Sequence, residues 1–128
     1  MAKQRIKLNW YRFEGFINAR DKFPKKSCVY VQTDRKSKPI RVGKTLPGLS
    51  IRYHGGTGYA IDAAMHGSKN LFFVAPVPSG HCDDIERELI WQGRNVLHYN
   101  NMGKQKPPQE RVSLHHHGQM PIFDKFEI

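Results

Sequence analysis

Residues 27–44 read SCVYVQTDRKSKPIRVGK and contain two apolar runs separated by polar residues. Residues 27–33 are rich in β-branched and aromatic side chains, which is typical of a strand. The polar residues 34–39 interrupt that pattern, and residues 40–44 resume it. Two such runs joined by a short polar turn predict a β-hairpin.

The flanking sequence predicts helices and one further strand. Apolar side chains recur at helical spacing in residues 9–22, 49–53, 59–66 and 83–97. The first of these helices should end before Pro24. Residues 70–77 (NLFFVAPV) predict a buried strand, and the tail rich in Pro, Gly and His predicts little regular structure. This order predicts an α+β fold with helices packed on a small sheet.

The charge is strongly positive and unevenly distributed. The formal net charge is +10. Residues 1–60 hold 14 Lys and Arg against 3 Asp and Glu, or +11, whereas residues 61–128 hold 7 against 8, or −1. Such a basic half attracts phosphates and so indicates nucleic acid as a partner. The alternative is a solvated face that only keeps the protein in solution.

Cysteine content and hydropathy indicate the cellular compartment of the protein. The two cysteines, Cys28 and Cys82, are too few for a disulfide framework and lack the CxxC spacing of a zinc site. We expect reduced thiols in a cytoplasmic protein. The sequence also predicts neither a signal peptide nor a membrane-spanning segment, because no apolar run approaches about 20 residues.

One carboxylate on the predicted helix 83–97 lies on its apolar side. With Ile85 at 0° and about 100° per residue, Glu86 falls near 100°, between Leu89 and Ile90, whereas Glu88 falls near 300°, on the solvent side. A carboxylate on such a face needs a cation, a metal or hydrogen-bond donors. Glu86 could therefore serve a functional site, form a buried ion pair with an arginine, or reach water at the rim.

Five short motifs in this order resemble the GIY-YIG nuclease superfamily. They are Cys28-Val29-Tyr30 with Pro24 upstream, Arg41-Val42-Gly43 continuing to Lys44-Thr45, Leu49-Ser50-Ile51-Arg52, Glu86-Arg87-Glu88-Leu89-Ile90, and Tyr99-Asn100. The resemblance spans about residues 24–101 and implies a small, three-stranded, mainly antiparallel sheet flanked by helices. Cys28 replaces the glycine of the first motif, and Arg41 replaces the tyrosine of the second, which contributes to catalysis in the family.

The resemblance implies a metal-dependent endonuclease. Glu86 would hold Mg²⁺ or Mn²⁺, Arg52 would contact phosphate oxygens, and Tyr30 would position or deprotonate the attacking water. Four further residues would assist: His54 as a base or proton shuttle, Lys44 and Arg41 as phosphate contacts, and Asn100 as an orienting hydrogen-bond partner. The alternatives are a binding module without catalysis and a basic RNA-associated protein whose motifs match by chance.

The resemblance also implies how the chain is divided and which partners it has. Residues 1–23 would be an N-terminal helical extension, 24–103 the GIY-YIG-like catalytic domain, and 104–128 a tail packed on that domain. DNA is favoured over RNA as substrate, and specificity would come from a homodimer or a partner protein, or would be slight. The run His115–His117 lacks metal-ligand spacing and predicts a loop near the active site.

Overall fold

The computed structural model describes residues 4–49, 70–98, 100 and 103–126. In chain order the elements are β1 (Gln4–Phe13), α1 (Phe16–Lys22), β2 (Cys28–Thr33), β3 (Pro39–Thr45), β4 (Leu71–Pro76), a 3₁₀ turn (Ser79–His81), α2 (Cys82–Gln92) and β5 (Val112–Gly118). The predicted hairpin is confirmed as β2 and β3, which pair antiparallel. Over the described ranges, every helix is too short or too polar to cross a bilayer.

The strands form one mixed sheet in the order β3-β2-β4-β1-β5. Neighbours are antiparallel from β3 to β1, and β5 lies parallel to β1. The predicted three-stranded sheet flanked by helices is therefore wrong. The three predicted strands do lie side by side, but β1 and β5 extend the sheet, and the described part of the chain contributes only two short α-helices.

Strand β1 occupies residues expected to be helical. Leu8 and Trp10 are buried, whereas Lys7, Asn9 and Tyr11 between and beside them are exposed. This period of two is the pattern of a half-buried strand. The helix prediction for residues 9–22 is correct only for Phe16–Lys22, because the chain enters α1 after a turn at Gly15.

Strand β5 occupies the tail that was expected to lack regular structure. It pairs with β1 over its whole length, from Gln4 opposite Val112 to Trp10 opposite Gly118. The prediction that His115–His117 form a loop is also wrong, since these histidines lie within β5. Their side chains therefore alternate between the two faces of the sheet.

Each face of the sheet has its own core. We call the face covered by α1 the α1 face; there Phe16 and Ala19 pack on Tyr30, Phe72 and Val74. We call the other the α2 face; its core joins side chains of α2 to β1–β4 and the tail, namely Leu8, Trp10, Val29, Val31, Val42, Phe73, Ala75, Ile85, Leu89 and Phe126. Alternation along a strand thus decides which core a residue joins.

Helix α2 carries its buried carboxylate at Glu88. The predicted solvent position of Glu88 is wrong, because this side chain has no exposed surface. Arg111 donates to both of its oxygens at 2.9 Å, Gln92 donates at 3.0 Å, and the Val112 backbone N–H at 3.3 Å. Burial would raise the pKa of Glu88, but these hydrogen bonds outweigh it and lower the pKa. The network ties α2 to the start of β5.

Candidate nucleic-acid interface

Tyr30 lies at the centre of the α1 face. It stands opposite Gly43 in the hairpin, and its ring stacks on Phe72 with 5.0 Å between centroids. A Cβ atom at Gly43 would come within 2.4 Å of the phenol oxygen, so only glycine leaves room for the ring. The Tyr30 side chain has no exposed surface. Its hydroxyl therefore does not reach solvent in this arrangement.

Arg41 reaches over Tyr30 from the neighbouring strand. Its Nη1 donates to the Tyr30 hydroxyl at 3.2 Å and lies 3.4 Å from the Gln32 amide oxygen, which stands directly across the hairpin. Its guanidinium carbon lies 5.8 Å from the Tyr30 ring centroid. Within the described ranges, no carboxylate pairs with this half-buried cation. A guanidinium held by neutral acceptors retains donors and charge for an anion.

Gln32 was not among the predicted site residues. A signal was present, because Gln32 and Arg41 are polar residues that a hairpin register places opposite one another. That register requires the pairing to be known to within one residue, since a shift of one moves a side chain to the other face.

Lys44 lies on the same strand as Arg41 but points to the α2 face. Its ammonium forms an ion pair with Asp83 and lies 3.8 Å from a carboxylate oxygen of Glu86. Asp83 and Glu86 are three residues apart on α2 and so share one side of the helix. Lys44 thus meets two acids, and its charge is compensated. Glu86 and Tyr30 belong to opposite sides of the sheet.

Glu86 has a cation close to its carboxylate. Its side chain is 21% exposed, and the Lys44 ammonium lies 3.8 Å from one of its two carboxylate oxygens. Over the residues that the structure describes, no three His, Cys, Asp or Glu side chains are grouped to hold a metal. A dication bound to that oxygen would be repelled by the Lys44 ammonium.

Asn100 supports the exposed edge of the hairpin. Its amide oxygen accepts from the Val42 backbone N–H at 2.8 Å, and its amide nitrogen donates to the Val42 carbonyl at 2.9 Å. Asn100 thereby satisfies both backbone groups of Val42, which point away from β2. Arg52 and His54, the remaining predicted site residues, lie outside the described residues.

Charge separates the two faces of the sheet. None of the five strands, as described, contains Asp or Glu. Their cations on the α1 face are Arg5, Lys7 and Arg41, whereas α2 carries Asp83, Asp84, Glu86 and Glu88. Part of the basic excess seen in the first half of the sequence is therefore displayed on the α1 face, and Lys25 and Lys26 are exposed in the turn after α1.

Comparison with known proteins adds no relative: no family model, no curated protein and no solved structure matches this chain. The resemblance to the GIY-YIG superfamily accordingly stays a prediction from the motifs. The interpretation of the site has to come from its own chemistry.

Proposed function

We propose that this protein binds nucleic acid through its phosphate backbone, with Arg41 as the central cation of the α1 face. The observation that carries the proposal is the partner set of Arg41: a phenol and an amide, with no acid among the described residues. A half-buried charge costs free energy unless an anion meets it. Phosphate suits the planar guanidinium, which can donate two parallel hydrogen bonds.

The surrounding charges support a polyanion rather than a single small anion. Arg5 and Lys7 lie on the same face as Arg41, and Lys25 and Lys26 are exposed in the turn after α1. Several separated cations, on strands that contain no acid, match a chain of phosphates. Binding through such contacts should weaken steeply with salt.

The test is a salt titration of binding by fluorescence anisotropy, with DNA and RNA oligonucleotides in the presence of a chelator. Arg41→Ala should weaken binding about tenfold and lower the slope of log affinity against log salt by about 0.7 to 0.9. The affinity of Arg41→Lys should lie between those of wild type and Arg41→Ala, because lysine keeps the charge but cannot donate two parallel hydrogen bonds. Arg87→Ala is the matched control, since Arg87 is an exposed arginine on the acidic helix α2. Equal affinities for Arg41→Ala and Arg87→Ala would refute the proposal.

Mg²⁺- or Mn²⁺-dependent cleavage of the bound strand is our second proposal. The contact between the Tyr30 hydroxyl and a cation at the family's second-motif position favours it. The enclosed position of Tyr30 and the pairing of Lys44 near Glu86 argue for the binding module instead. Incubation of wild type and Glu86→Ala with oligonucleotides, with metal and with chelator, separates the two. Cleavage that needs both the metal and Glu86 would favour the nuclease, and binding without cleavage in either metal would exclude it.

We further propose a cytoplasmic location, with a homodimer or partner protein supplying specificity. Cys28 and Cys82 are both buried free thiols, and burial raises the pKa of Cys28 to about 12. Thiols of this kind stay protonated and unreactive.

A further inference from the structure

A second basic surface lies on the α1 face beyond helix α1. Every second residue of β1, namely Arg5, Lys7, Asn9 and Tyr11, is exposed there. Side chains at such positions are about 7 Å apart, so the row is about 20 Å long. We call this row, with His115 and His117 of β5, the β1–β5 platform.

Strand β5 widens the platform with polar side chains. The parallel register places Lys7 beside His115 and Asn9 beside His117, all on the same face. Arg5 Nε lies 3.4 Å from His115 Nε2. Neither strand contains an acid. The platform therefore offers cations and imidazole rings to a ligand, with no carboxylate to repel a phosphate.

Tyr11 supplies an aromatic ring at one end of the row. The side chain is 41% exposed, and its ring meets Phe23 edge-on at 5.3 Å between centroids. Phe13 packs on Phe23 in the same way at 6.1 Å. The ring is thus braced by its neighbours while much of it faces solvent. Aromatic rings beside a basic groove are what unpaired bases stack on.

We propose that the β1–β5 platform binds single-stranded nucleic acid, with phosphates on Arg5 and Lys7 and a base stacked on Tyr11. This inference rests on the proposed function and names its substrate class. A duplex offers phosphates but keeps its bases stacked on one another, so it can use the cations and not the ring. The proposal covers both DNA and RNA. The experiment compares them through oligonucleotides that differ in the sugar.

The experiment compares binding of 20-nucleotide oligo(dT), oligo(U) and a 20-base-pair DNA duplex by anisotropy with a chelator present. Tyr11→Leu keeps an apolar contact with Phe23 but removes the ring, and Tyr11→Phe keeps the ring. Tyr11→Leu should weaken single-strand binding about tenfold, and Tyr11→Phe should stay within about twofold. The double variant Arg5→Ala/Lys7→Ala should lower the single-strand salt slope by about 1.4.

The matched control is Arg12→Ala, because Arg12 is exposed on the same strand but points to the α2 face. Its affinity should equal that of wild type, and thermal unfolding should show all variants folded. If Tyr11→Leu and Arg5→Ala/Lys7→Ala bind like wild type while Arg41→Ala binds weakly, the platform is refuted and the proposed function stands. Equal loss for duplex and single strand on Tyr11→Leu refutes the single-strand class. If wild type binds no probe, both proposals fail.

Discussion

Replacing His116 by asparagine should reduce the acid sensitivity of folding between pH 6.5 and about 4. His116 points into the α2 face, where its Nδ1 accepts a hydrogen bond from Trp10 Nε1 at 2.9 Å. Its ring stacks on Phe123 with 4.2 Å between centroids. Protonation at Nδ1 would replace this acceptor with a donor facing a donor. The folded protein therefore requires the neutral imidazole.

The size of the effect follows from the pKa of His116. Burial, and to a smaller extent the charges of His115 and His117, lower this pKa from 6.5 to about 4. The unfolded chain thus takes up a proton that the folded chain refuses in this range, and stability falls as pH falls from 6.5 towards 4. The full difference would be worth about 3 kcal/mol. Because the ring keeps partial exposure, solvent screening reduces it, and we expect about 2 kcal/mol.

The assay is urea unfolding followed by far-ultraviolet circular dichroism at several pH values from 7.5 to about 4. His116→Asn keeps a side-chain oxygen for Trp10 but cannot titrate, so its free energy of unfolding should depend less on pH. The variant should be less stable than wild type at pH 7.5 because it loses the stack on Phe123. His117→Asn, on the exposed face, removes only one of the smaller charge contributions and should keep most of the wild-type pH dependence. If wild type and His116→Asn lose the same free energy on acidification, the reasoning is wrong.

Two further substitutions test the polar contacts that hold the sheet. Glu88→Gln should lower the free energy of unfolding at pH 7 by about 3 kcal/mol, because it leaves a partly buried guanidinium without its anion; a loss below about 1 kcal/mol in urea unfolding would contradict this. Asn100→Ala should cost about 1–2 kcal/mol and speed hydrogen exchange of the Val42 amide, whereas unchanged exchange there would show that Asn100 does not cap the strand.

The parts of the fold set by local patterns were predictable, and the parts set by distant pairing were not. The hairpin and β4 follow from runs of β-branched and aromatic residues. Strand β1 was missed because the helical window began at Asn9 and so cut the alternation of Leu8 and Trp10 in two. Strand β5 pairs with β1 across more than a hundred residues of sequence, and its inward position at His116 is polar.

The position of Glu88 shows the same limit for the site. A helical wheel assumes that the side away from the apolar stripe meets water. In α2 that side meets Arg111 and the first residue of β5. The failure to predict β5 and the wrong position given to Glu88 therefore have the same cause. Glu86, by contrast, is half-buried. It lies 3.8 Å from Lys44 of β3, a strand that belongs to the correctly predicted hairpin.

Two cations on β3 show why charge alone could not locate the interface. Arg41 and Lys44 are three residues apart, so strand alternation sends them to opposite faces. Lys44 meets Asp83 and Glu86, and its charge adds little to the external field. Arg41 meets only neutral acceptors among the described residues, and its charge remains for a ligand. Arg41 and Lys44 carry the same formal charge but contribute differently to the external field. They differ because the acidic helix α2 packs on the face of Lys44 and not on that of Arg41. We expect a polyanion to bind on the face without that helix, where Arg41, Lys7 and Arg5 lie.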